Sequence, residues 1–244
     1  MNLLLLSNST SVSGYLTHAR GWISETLAGV ERAAFVPYAG VTVDWDAYAG
    51  RVREALAGLG VEIVSVHEAT NPTGLVTEAG AVLVGGGNTF QLLRETYRVG
   101  LVELIRQRSR GGVPYVGWSA GSNLACPTIM TTNDMPVAEP PTFRALGLVP
   151  FQINPHFTDA HPPGHRGETR RQRLAEYVAA NPGVPVLGLP EGTALRVSAA
   201  PGDGASGGEA SGAAGLLGAG RAVLFDSASP HGRDVRAADL DTLL

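Results

Sequence analysis

The chain has 244 residues, 44% hydrophobic and 16% charged, which is enough to bury one large core, and a single α/β domain over residues 1–244 is expected. A net charge of −4 with no strongly basic run argues against nucleic acid as a partner. All 18 cationic side chains are arginine, so Schiff-base chemistry, pyridoxal phosphate attachment and a P-loop lysine are excluded, while the lone Cys126 excludes a disulfide framework and a cysteine zinc cluster.

In chain order, residues 3–6, 34–37, 62–66, 81–84, 114–118 and 184–189 read as short, continuously apolar strands of the kind buried on both faces of a parallel sheet. Residues 3–6 are too short for a signal-peptide core, and no apolar run approaches about eighteen residues, so no membrane association is expected and the cytoplasm is the expected location. Amphipathic stretches at 45–59, 88–110 and 168–180 alternate with these strands, each set off by Gly, Pro or Asn. This alternation predicts a doubly wound, mostly parallel sheet flanked by helices. Residues 199–220 hold eight glycines and seven alanines and predict a flexible insertion, mobile loop or loose hairpin connection. Residues 193–198 and 221–226 are expected to pair across it as antiparallel edge strands.

The run Tyr115-Val116-Gly117-Trp118-Ser119-Ala120-Gly121 is an apolar strand emptying into G-x-S-x-G. At such a strand-to-helix elbow the serine takes strained backbone angles and presents its hydroxyl, which makes Ser119 the candidate nucleophile. Chemistry in open parallel sheets gathers beyond the carboxyl ends of the strands. Three more polar groups fall there: Gly85-Gly86-Gly87-Asn88 after residues 81–84, His156 after 151–155, and Glu191 after 187–190. All four groups are expected to meet along one sheet edge. Gly86, Gly87 and Asn88, with the N–H of Ala120, suit an oxyanion hole; a nucleotide-phosphate loop is the rival, but G-x-G-x-x-G spacing is absent. His156 is the candidate base, and His18, His67, His161, His165 and His231 are read as capping or surface imidazoles.

Six blocks together resemble the peptidase E family, the α-aspartyl dipeptidases. They are residues 4–10, 84–93, 117–121, Thr131-Thr132-Asn133-Asp134-Met135-Pro136, Ile153-Asn154-Pro155-His156-Phe157 and Gly167-Glu168-Thr169-Arg170. The resemblance runs from residue 3 to about residue 198. It implies a fold similar to class I glutamine amidotransferases, a cofactor-free and metal-free serine peptidase, small acidic dipeptides as substrates, and a homodimer. By the same resemblance Glu191 and Asp134 both match positions from which a carboxylate orients the histidine; the strand-end position favours Glu191, while loop folding would be needed to bring in Asp134. In the basic run 165–173, helical spacing puts Arg170 on the apolar face of Leu174 and Tyr177, Arg171 at its edge and Arg173 off it. Arg170 is therefore the candidate for the aspartyl carboxylate. Two other functions fit these residues: a cyanophycinase-like β-aspartyl peptidase, and a catalytically silent amidotransferase-like binding protein.

Overall fold

The computed structural model describes residues 1–161, 163–164, 166–199, 212–236, 239–240 and 242–244. From the N-terminus the elements are β1 (Asn2–Leu6), β2 (Thr10–Ser11), β3 (Gly14–Tyr15), α1 (Arg20–Thr26), β4 (Arg32–Val36), α2 (Trp45–Leu56) and β5 (Glu62–Ser65). Then come α3 (Pro72–Glu78), β6 (Ala81–Val84), α4 (Thr89–Arg98), α5 (Leu101–Arg110), β7 (Tyr115–Trp118) and α6 (Ala120–Ala125). The last group is β8 (Gln152–Asn154), α7 (Arg170–Ala180), β9 (Val186–Gly188), β10 (Ala194–Ala199), β11 (Gly212–Leu217), β12 (Val223–Asp226) and β13 (Ser229–Asp234).

Apart from β2 and β3, which pair with each other, the strands form a seven-stranded sheet in the order β11-β10-β1-β7-β6-β4-β5 and a four-stranded sheet in the order β13-β12-β9-β8. In the large sheet β1, β7, β6, β4 and β5 run parallel, with β10 antiparallel to β1 and β11 antiparallel to β10. Side-chain alternation shows why its strands are apolar throughout. Leu3, Leu5, Ala34, Val36, Val82 and Val84 point to one face, where Val76, Leu92, Ile105 and Leu124 of α3 to α6 cover them. Leu4, Leu6, Ala33, Phe35, Ala81 and Leu83 point to the other, under Ile23 of α1 and Tyr48, Val52 and Leu56 of α2. The small sheet carries its own cluster, in which Leu174 and Val178 of α7 pack on Val186, Val223 and Phe225.

Three expectations change. The stretch 88–110 is two helices, because Gly100 adopts φ 72 and ends the first while starting the second. The segments expected to pair with each other do not: β10 pairs with β11, drawn from the Gly/Ala-rich stretch itself, while β12 joins β9 and β13 in the small sheet. Small side chains suffice at β11 because it is an edge strand, and residues 200–211 of the expected flexible insertion lie outside the described residues. Finally, β8 and β9, which precede His156 and Glu191, belong to the small sheet, so the four strand-end groups come from two sheets rather than one edge. Among the described residues no helix is long and apolar enough to cross a membrane.

Candidate active site

Ser119 sits between β7 and α6 with φ 53 and ψ −110, a conformation an L-residue holds only when its surroundings enforce it. Four contacts account for the enforcement. Its N–H donates to the Leu6 carbonyl at 3.0 Å. Ser122 Oγ donates to the same carbonyl at 2.7 Å, and Tyr115 donates to the Gly121 carbonyl at 2.6 Å. A β-carbon on Gly121 would collide with the Val84 carbonyl, so only glycine lets α6 cross the sheet this closely. Among the described residues the non-glycine positions with positive φ are Leu16, Ser119 and His156. Two of these three are candidate catalytic residues.

His156 reaches both neighbours. Its Nε2 lies 2.9 Å from Ser119 Oγ and its Nδ1 lies 2.7 Å from Glu191 Oε1. A carboxylate only accepts, so Nδ1 carries the proton and Nε2 is left to accept from the serine hydroxyl. The His156 side chain is 39% exposed and that of Glu191 64%, so the pair is wet on one side. Ser7, the first residue after β1, joins the sheets behind it: its Oγ accepts the His156 N–H at 2.9 Å and donates to the Leu189 carbonyl at 2.8 Å. Asn8 Oδ1 accepts the Gly192 N–H at 2.7 Å and fixes the turn that carries Glu191. Neither was singled out from the sequence, although both obey the same strand-end rule that marked Ser119.

Asp134 does not meet His156. Its Oδ2 accepts from Thr89 N–H at 2.8 Å, Thr89 Oγ1 at 2.5 Å and Thr132 Oγ1 at 3.0 Å, so it caps α4 from outside the helix. Asn88, expected at the oxyanion or substrate site, lines a cavity beside the triglycine and is also the N-cap of α4. Its Oδ1 accepts from Gln91 N–H at 3.0 Å, its Nδ2 donates to Met135 O at 2.7 Å, and its N–H donates to Ala39 O at 2.8 Å. Asx chemistry just before a helix carried this capping signal in the sequence.

Gly86 lies against the nucleophile, where an added β-carbon would stand 3.0 Å from Ser119 Cβ. The peptide joining Gly86 and Gly87 is held from α2, since Tyr48 donates to the Gly86 carbonyl at 2.9 Å and accepts from Trp118 Nε1 at 3.0 Å. Carbonyl and following N–H point oppositely across a trans peptide, so this bond fixes the direction of the Gly87 N–H. Burial raises the Tyr48 phenol above its ordinary range, so it stays a donor. Ala120 begins α6, and its N–H has no intrahelical acceptor.

Arg170 is the first residue of α7, capped by Thr169 and Gln172. It is partly buried, and among the described residues no hydrogen bond or ion pair engages it; desolvation, then the Arg173 charge, lowers its guanidinium pKa. Arg171 is already committed, to Asp159 at 2.6 and 2.8 Å and to the faces of Phe157 and Phe225. Two histidines read as surface groups are otherwise placed. His18 has both ring nitrogens buried without a partner among the described residues, and His67 bridges Ser65 and Asp46. His165 lies outside the described residues. Cys126 is fully buried, and desolvation pushes its thiol up to about 12, which removes it as a rival nucleophile.

A parallel α/β sheet with a strained serine at its elbow, hydrogen-bonded to an imidazole, has the architecture of a serine hydrolase. Sequence comparison narrows the class, because the profile of peptidase family S51 matches residues 3–201. Proteins named peptidase E from Citrobacter koseri and Salmonella typhimurium are each 51% identical over 199 residues, 81% of this chain and 87% of theirs. The chain belongs to peptidase family S51, the peptidase E family of serine peptidases. Solved structures share the fold. A peptidase from an acI-B1 Actinobacterium aligns with TM-score 0.64 at 15% identity, over 97% of this chain and 94% of its own. A Listeria monocytogenes EGD-e protein assigned provisionally to peptidase E aligns with TM-score 0.62 at 20% identity, over 90% of this chain and 98% of its own.

Proposed function

We propose that the protein hydrolyses dipeptides with N-terminal aspartate through a Ser119–His156–Glu191 triad and an acyl-enzyme. The observation that carries the mechanism is the continuous chain from Ser119 Oγ to His156 Nε2 and from Nδ1 to Glu191, at 2.9 and 2.7 Å. Ser119 Oγ adds to the aspartyl carbonyl carbon as its proton passes to His156 Nε2, and the N–H groups of Gly87 and Ala120 face the developing oxyanion. Collapse breaks the C–N bond, with the imidazolium proton going to the leaving amine. Water, deprotonated by the same nitrogen, then releases aspartate from the ester. Glu191 holds the productive tautomer and offsets the imidazolium charge.

Arg170 supplies the selectivity for aspartate. A half-buried guanidinium without an acidic partner among the described residues is costly unless a ligand carboxylate meets it, and its planar fork accepts one bidentately. The test is hydrolysis of X-Leu dipeptides with X as Asp, Asn, Glu and β-linked Asp. Asp-Leu is expected to lead by at least about tenfold, the value of one charge-assisted contact. Preference for the β-linked substrate would place the protein with β-aspartyl peptidases instead.

A further inference from the structure

An Asp-Xaa dipeptide carries two carboxylates, on the aspartyl side chain and on the leaving residue, and Arg170 answers only one. Beside the triglycine lies a cavity of about 390 Å³, walled by Ser9, Thr10, Tyr15 and Arg51 and floored by Gly86 and Gly87. It opens one residue from the nucleophile, since Gly86 touches both the cavity and the Ser119 side chain. Among the described residues no acidic side chain lines it. Among the described residues its one cation is Arg51, which lies over the Tyr15 ring at 5.7 Å and is engaged by no carboxylate. Arg53, two residues along the same helix, is by contrast tied to Glu68 and to the Ile63 carbonyl. Spacing explains the difference: Arg51 follows Tyr48 by three residues and shares its face of α2, the face that holds the Gly86 carbonyl.

Resting on the peptidase assignment above, we propose that this cavity is the subsite for the leaving residue, with Arg51 pairing with its free α-carboxylate. The volume suits one amino-acid residue; Val41, half exposed on the cavity wall, offers apolar contact to its side chain, while Ser9, Thr10 and Tyr15 offer hydroxyls to its backbone. The two carboxylates of the substrate then meet one cation from each sheet, Arg51 above the large sheet and Arg170 on the helix that packs on the small one. An arginine at fixed reach from the serine also limits chain length, because a third residue would put a neutral amide where the charge belongs. Substrates of two residues are thereby favoured over longer peptides.

The experiment compares Asp-Leu with Asp-Leu-amide on the wild type, Arg51→Ala and Arg51→Gln. The wild type is expected to favour the acid over the amide by roughly ten- to a hundredfold in kcat/KM, the range for a hydrogen-bonded charge. Both variants should bring that ratio to about one, chiefly through KM for Asp-Leu. A ratio unchanged by either substitution overturns the proposal. Loss of Asp-over-Asn discrimination on amide substrates overturns it too, since Arg51 would then hold the aspartyl side chain. Calorimetry on Ser119→Ala, with and without Arg51→Ala, reads the same preference without turnover. Acid favoured over amide only when Arg51 is present supports the subsite even if the wild type hydrolyses neither peptide, in which case the peptidase assignment alone fails. Equal binding of acid and amide sinks the subsite.

Discussion

Exchanging the two candidate carboxylates separates catalysis from stability. In Glu191→Gln the amide can still accept from His156 Nδ1, so the fold is retained, but the imidazolium formed in the transition state loses its counter-charge. Two unit charges about 4 Å apart are worth about 1 kcal/mol in bulk water and about 4 kcal/mol near a protein surface. With His156 39% and Glu191 64% exposed, the pair falls between these limits. At about 1.4 kcal/mol per tenfold in rate, kcat should fall by roughly one to three orders of magnitude. Melting temperature should hardly move, because one wet ion pair contributes about 0–1 kcal/mol. Asp134→Ala should do the reverse. It removes three accepted hydrogen bonds at the start of α4, where loss of a cap costs about 1–2 kcal/mol, or roughly 2–8 °C in a chain of this size. Steady-state kinetics on Asp-Leu and thermal melts of both variants decide the matter. A crippled but stable Asp134→Ala beside a fully active Glu191→Gln would overturn the triad.

Ser119→Ala and His156→Ala should each abolish turnover in a folded protein, since triad members act as a unit, and normal hydrolysis by either variant rules out the mechanism. Tyr48→Phe removes the bond that fixes the Gly86–Gly87 peptide; kcat should fall by about five- to tenfold with KM little changed, and affinity for a peptide aldehyde should fall in parallel, whereas loss of product affinity alone would mark a merely structural role. Arg170→Ala should lower kcat/KM for Asp-Leu by roughly a hundredfold and narrow the preference over Asn-Leu, with lysine a poor rescue for want of the planar fork; retained discrimination would move aspartate recognition elsewhere. Iodoacetamide at pH 8 should leave activity intact, because the Cys126 thiol is buried and pushed up to about 12; rapid inactivation would show that α6 opens.

Local pattern alone determined the parallel strands of the large sheet and the candidate nucleophile. Buried parallel strands need apolar side chains on both faces, and a strand-to-helix crossing needs glycines flanking the serine, so both leave short-range traces in the chain. Gly100 also carried a local signal, but periodicity passed through it unbroken, and two helices read as one. Pairing across long separations left no such trace. The free edge of β10 is taken by β11, while β12 has both its edges filled by β9 and β13 in the small sheet. Only the tertiary structure decided which carboxylate meets His156, since Glu191 lies 35 residues away and Asp134 is drawn off to cap α4. The same holds for Tyr48, which reaches a carbonyl 38 residues further along the chain, whereas helical spacing already distinguished Arg170 from Arg171 and the structure adds which of them is engaged. Asp159 occupies Arg171 and leaves Arg170 without a carboxylate among the described residues.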